Sequence, residues 1–175
     1  MNKLLIVVDM QNDFITGSLA NEEGQKIVTK IADFIRDFDG DVYVTRDTHT
    51  EDYMNTQEGK RLPVPHCIKG TEGWQIVPKI QAALDEKAKA GVVRYFDKNT
   101  FGCVELGEEV ARKQYTDVEM VGVCTDICVI SNALLIKACA LETNVVIHKD
   151  LCAGVTPESH ENALNAMAAC QCDII

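Results

Sequence analysis

The chain predicts a three-layer α/β/α domain built on a six-stranded parallel sheet. Three observations carry this reading. Apolar runs alternate with amphipathic segments along all 175 residues. Those runs are nearly continuous in Val, Ile and Leu, as befits strands covered on both faces rather than one. The segments between them place apolar residues at helical spacing, so each connection reads as a helical crossover between parallel strands.

Each element follows from its residues. LLIVVD at 4–9 is the first strand, ended by the acid Asp9. A helix over 23–38 sets Ile27, Ile31, Phe34, Ile35 and Phe38 on one stripe. DVYVTRD at 41–47 is the second strand. The stretch 48–73 then breaks the alternation. Loops longer than about 12–15 residues without structure of their own are functional or disordered. With His49, His66, Pro63 and Pro65 in it, this one reads as a binding loop. A short helix over 75–84 leads to the third strand, GVVRYFDK at 91–98. A helix over 104–113, the strand DVEMVGVC at 117–124 and a helix over 126–141 follow. NVVIHKD at 144–150, a helix over 157–169 and CDII end the chain. No internal repeat, low-complexity tract or linker interrupts this order, so 1–175 reads as one domain.

Composition narrows the function classes. Hydrophobic residues at 46% and charged residues at 25% are those of an ordinary globule. A net charge of -10 and a pI of 4.8 exclude a nucleic-acid partner, which needs a basic face. No apolar stretch approaches the roughly 20 residues of a membrane span. The apolar run in MNKLLIVVDMQ stops at Asp9, too early for a signal-peptide core, so it reads as the first strand of the mature protein. Eight cysteines without an export signal read as reduced thiols in the cytoplasm. None forms a CxxC pair, which argues against a zinc ribbon.

The chemistry gathers where the strands end. Asp9, Lys98 and Cys128 each follow an apolar run, at the edge of the sheet where open α/β folds place their reactions. Taken singly, each has an ordinary explanation: a core cysteine, a strand-end Asp turn, a surface lysine. Together they suggest a nucleophilic thiol with a base and an electrostatic partner. Cys128 falls in the first turn of a helix that Thr125 or Asp126 can cap, where the helix dipole favours thiolate. Backbone N–H groups in the tight turn between Cys124 and Cys128 are candidates for an oxyanion hole. Asp9 would take the thiol proton and return it to a leaving amine.

A second group comprises Asp47, His49 and His66, with Glu58 or Asn55 as a fourth contact. Two imidazoles and a carboxylate suit a divalent transition metal such as zinc, manganese or iron. A pair of hydrogen-bonding loop histidines is the ordinary alternative. His148 and His160 read as structural or exposed.

At these residues the chain resembles the isochorismatase-like cysteine hydrolases, and among them the nicotinamidases. The matching segments are VVDMQNDF, RDTH, PHCIKGTEG, the FDK ending at Lys98, GVCTDICV and LCAG, in family order over nearly the whole chain. The resemblance implies the strand order 3-2-1-4-5-6 and a catalytic triad of Asp9, Lys98 and Cys128. It also implies a cis peptide before Cys124 and an oxyanion hole from the Cys124 and Cys128 amides. The metal would sit on Asp47, His49 and His66, with Glu58 taking the place of a second histidine absent near Asn55, and would bind the pyridine nitrogen. Phe14 matches an aromatic that lines the substrate pocket, with Gln11 expected beside it. The aromatic ordinarily found before the PHC segment is replaced by Leu62-Pro63-Val64, with Trp74 nearby but out of position.

The activity so implied is cysteine-dependent hydrolysis of nicotinamide to nicotinic acid and ammonia through a thioester, in a homo-oligomer. The alternative is the same chemistry on another small amide or carbamoyl compound without a catalytic metal. Isochorismate hydrolysis is disfavoured because members with that activity lack the nucleophilic cysteine. A non-catalytic binding protein on the same fold is the reading from a different class.

Overall fold

A computed structural model describes residues 2–175. Six parallel strands, β1 (Lys3–Val8), β2 (Asp41–Asp47), β3 (Val93–Lys98), β4 (Asp117–Val123), β5 (Asn144–Ala153) and β6 (Asp173–Ile174), form one sheet. Their order is β3-β2-β1-β4-β5-β6, as expected. Two helices pack on one face, α2 (Glu22–Asp37) and α4 (Pro78–Lys87), and three on the other, α5 (Val104–Lys113), α6 (Ile130–Cys139) and α7 (Pro157–Ala169).

The central strand shows why the layers form. Successive side chains of a strand point to opposite faces. In β1, Leu4, Ile6 and Val8 enter the core under α5, α6 and α7, while Leu5 and Val7 enter the core under α2 and α4. All five are fully buried. Each such side chain contributes about 1.5–3 kcal/mol relative to exposure. Where β4 runs closest to β1, Gly122 adopts φ +123°, and a Cβ there would sit 2.2 Å from the Val8 carbonyl oxygen. Only glycine fits.

Four elements depart from the sequence expectation. A short helix, α1 (Asn12–Ile15), follows β1 directly. The stretch 48–73 is not structureless: it holds a 3₁₀ turn at Tyr53–Asn55 and helix α3 (Gln57–Arg61), capped by the Thr56 hydroxyl on the Gly59 N–H. The helix expected over 75–84 begins only at Pro78, because Ile76 bridges to Gln11 just beyond β1, with Val77 N–H on the Met10 carbonyl. Proline at the first helical position has no N–H to lose. The helix expected from 126 opens instead as a wide π turn, Thr125–Val129, with Val129 N–H reaching the Cys124 carbonyl. Neither expected cap is used. The Thr125 hydroxyl pairs with His160 Nδ1 at 2.8 Å, and Asp126 accepts the Val155 N–H.

Candidate active site

The strand order reverses between β1 and β4, and a crevice opens there beyond the carboxyl ends of the strands. Asp9 stands at the end of β1 with φ +48°, and the Val123–Cys124 peptide that leaves β4 is cis. Lys98 ends β3 in register with Asp47 at the end of β2. Parallel register alone therefore delivers three of the polar groups to one edge.

The three residues expected to react are in contact. Lys98 Nζ lies 2.6 Å from Asp9 Oδ2 and 3.5 Å from Cys128 Sγ. All three are almost wholly buried, at 4%, 0% and 6% exposure respectively. Asp9 Oδ1 accepts the Thr45 hydroxyl at 2.7 Å, which turns the other carboxylate oxygen toward the amine and the sulfur. Sequence reasoning passed over Thr45, although a hydroxyl inside the apolar run VYVT was a usable signal.

Burial sets the electrostatics. It lifts the Asp9 carboxyl above the ordinary carboxylate range; Asp47 adds to the rise, while Lys98 and Thr45 oppose it. It also raises the Cys128 thiol well above a free cysteine, and the Asp9 charge outweighs the opposing pull of Lys98. Burial alone would lower Lys98, but Asp9, Cys128 and Asp47 raise it, so the ammonium stays charged. This rise runs against the pull toward thiolate expected from the helix end. Desolvation and a neighbouring carboxylate oppose the helix end, which here opens as a π turn.

Beside this centre lies a second cluster. Asp47, His49, Glu58 and His66 bring one donor atom each within 4.8 Å of one another. The two Nε2 atoms lie 2.9 and 3.3 Å from Asp47 Oδ2, and each lies 3.7 Å from Glu58 Oε1. Tetrahedral zinc, with bonds of about 2.0–2.1 Å to nitrogen and oxygen, sets its donors about 3.3–3.4 Å apart. The donor set fits. His66 Nδ1 donates to the Val64 carbonyl at 2.8 Å, which leaves Nε2 free to act as a ligand. The buried ring of Tyr53, absent from the sequence reading, packs against both imidazoles at 4.8 and 5.0 Å. Burial works to raise Asp47, but the neighbouring imidazoles of His49 and His66 and the charge of Lys98 prevail and hold it far below the usual carboxylate range. Asn55 is not in the cluster; its amide pairs with Asp52 at the surface.

The two clusters share a floor. A cavity of about 770 Å³ opens onto Cys128, Cys124, Asp47, Glu58 and His66, with Phe14, Leu62, Phe101 and Ile127 on its walls. Asp9 and Lys98 stand behind the sulfur, outside the lining. Gln11, expected in the pocket, does not line it. Its amide is fully buried and spent on backbone: Nε2 donates to the Asp47 and Trp74 carbonyls, and Oε1 accepts the Asp47 N–H. Trp74 faces away too, its ring under the Arg46 guanidinium at 4.0 Å and its N–H on Thr48. Phe101 is the aromatic that sequence reasoning missed; no spacing rule marks a residue three positions beyond Lys98 as a wall.

A parallel three-layer domain with a buried acid, amine and thiol gathered at its switch point has the architecture of an α/β enzyme. The isochorismatase domain family model matches residues 3–175, and the chain belongs to that family. It is 32% identical to the uncharacterized isochorismatase family protein PncA of Bacillus subtilis, over 96% of this chain and 95% of that one. The crystal structure of pyrazinamidase/nicotinamidase from Streptococcus mutans superposes with a TM-score of 0.88, at 27% identity and 99% and 100% coverage of the two chains. Pyrazinamidase of Pyrococcus horikoshii, solved in complex with zinc, superposes with a TM-score of 0.81 at 29% identity, covering 100% and 99%.

Proposed function

We propose that this protein is a cysteine-dependent amidohydrolase, one domain over 1–175, whose substrate is nicotinamide. The observation that carries the reading is the contact chain Asp9–Lys98–Cys128, 2.6 and 3.5 Å, at the base of an apolar-walled cavity. Nicotinamidase and pyrazinamidase relatives and the donor cluster beside the sulfur support the choice of a pyridine carboxamide.

Cys128 Sγ attacks the carboxamide carbon while its proton passes to Asp9, whose raised affinity for protons suits it to that task. Lys98 holds the two groups together and offsets the negative charge that moves between them. The N–H groups of Cys124 and Cys128 receive the oxyanion. As the tetrahedral adduct collapses, Asp9 returns the proton to nitrogen and ammonia leaves. Water then cleaves the thioester, with Asp9 accepting its proton and the thiol reforming as nicotinic acid departs. Asp47, His49, Glu58 and His66 would hold a divalent metal: zinc, manganese or iron. When bound, that ion supplies a Lewis acid for the ring nitrogen. Phe14, tilted 58° against His66, forms the wall on which the ring rests.

One observation favours a second reading, hydrolysis of another small amide or carbamoyl compound without a metal. The cavity wall has Leu62 where a stacking ring is expected, and Trp74 points elsewhere. Ammonia release from a panel of amides, with and without added zinc, manganese or iron, decides between them. Turnover of nicotinamide that a chelator stops and metal restores supports the first reading. A metal-free protein inert toward nicotinamide but active on another amide supports the second. Among the described residues no helix is long and apolar enough to cross a membrane; activity in the cytoplasm is part of the same proposal, as is the homo-oligomeric state, which light scattering would test.

A further inference from the structure

The turn that follows β1 does more than deliver Asp9. Two of its side chains reach the backbone that carries the donor cluster. Gln11, fully buried, brackets Asp47 through two of the bonds described above, one to its carbonyl and one from its N–H. Asp13, in α1, accepts the Cys67 N–H on Oδ2 at 2.7 Å. The Cys67 carbonyl in turn accepts the His49 N–H at 3.0 Å. Cys67, next to His66, is thus held at its N–H by Asp13 and at its carbonyl by His49.

Cys67 needs that grip. Its φ of +48° lies in the left-handed region, uncommon for a residue with a side chain and one that persists only where its surroundings enforce it. The surroundings are shaped around the Asp13 carboxylate. A Cβ on Gly73 would lie 2.1 Å from Asp13 Oδ2, and one on Gly17 would lie 2.5 Å from Oδ1. Two glycines clear space for a carboxylate that is not itself part of the cavity lining.

From this we infer that Gln11 and Asp13 are positioning residues for the donor cluster, setting Asp47 through its own peptide and setting His66 and His49 through Cys67. The inference rests on the proposed metal role of those four ligands. The turn at 9–14 then serves both centres at once: Asp9 moves the proton, and Gln11 and Asp13 place the donors. Supporting groups of this kind typically change metal affinity 10- to 100-fold.

The test uses the full chain and zinc itself. Zinc affinity is read by competition with a fluorescent chelator, beside the thermal midpoint of the metal-free protein and the rate of Cys128 alkylation by iodoacetamide. Asp13→Asn and Gly73→Ala, which disturb the carboxylate from opposite sides, are each expected to weaken zinc about 10- to 100-fold. Alkylation of the metal-free proteins stays as in wild type, because neither change touches the thiol. Gln11→Glu retains the acceptor for Asp47 but loses both donated bonds, and is expected to weaken zinc as well. Variants with a lowered thermal midpoint and wild-type zinc affinity would reduce these residues to packing and overturn the inference. If Asp13→Asn does not fold, Gly73→Ala alone decides. A wild-type chain that takes up no zinc removes the metal reading and this inference together, whereas zinc uptake without ammonia release from nicotinamide counts only against the substrate.

Discussion

The two polar centres at the carboxyl edge of the sheet touch through one contact, Lys98 Nζ to Asp47 Oδ1 at 3.7 Å, yet they are built by different means. Asp9 and Lys98 sit on strand ends whose positions are set by ladder register, and Cys128 sits one turn beyond a third. The donor cluster takes Asp47 from a strand but His49, Glu58 and His66 from the 48–66 segment, which side chains must brace. The first centre is held by the sheet; the second is held by specific hydrogen bonds and, when loaded, by its ion. Disturbing the first should therefore cost chemistry, and folding too where its buried ion pair is broken, whereas disturbing the second should chiefly cost metal.

The sharpest way to break this contrast is Cys128→Ala. Ammonia release is expected to fall about 10⁴-fold or more with the thermal midpoint and zinc affinity retained. Substantial activity in that variant would hand the chemistry to the donor cluster. Lys98→Met comes next: it leaves a wholly buried carboxylate without its cation and is expected to cost about 3–5 kcal/mol of stability in urea titration. A loss near zero would mean that the sheet does not depend on the pair. Metal removal acts on the other centre. Zinc at 100 times its dissociation constant stabilises by about 2.7 kcal/mol, seen as a rise in thermal midpoint that His66→Ala abolishes.

The pH profile separates the centres by sign. Asp9 must be ionised to take the thiol proton, and its affinity for protons is raised, so kcat/KM should decline with falling pH through a midpoint above about 3.9, the ordinary Asp value. Asp47 is displaced the other way and does not titrate in that window. An acid limb at or below the ordinary value would disqualify Asp9 as the base. The smallest expected effect is that of Phe14→Ala, a rise in KM of about tenfold with kcat nearly kept, measured with nicotinamide.

The same contrast explains what the sequence made legible. Strand runs fix the identity and order of the sheet edge, so Asp9, Asp47 and Lys98 can be placed by reading where apolar runs stop. The segment at 48–73 has no such periodicity. Its ligands can be named from residue type, but its 3₁₀ turn and α3 cannot, because Thr56 capping and Tyr53 packing are tertiary decisions. Gln11 illustrates the remaining gap. A polar residue after a strand invites a place in the pocket, yet here it substitutes for a missing ladder partner at Asp47. The surroundings of the thiol were also hidden, since burial and a neighbouring charge depend on contacts between distant strands.

The outer strands of the sheet carry a consequence of their own. β3 turns Arg94, Tyr95 and Asp97 to solvent, and β6 is two residues long. Neither border offers a long greasy ribbon on which another chain could template, and charged or abbreviated borders of this sort are how sheet proteins avoid sticking edge to edge. A concentrated solution of this protein should accordingly resist fibrillar clumping until one of those borders is neutralised.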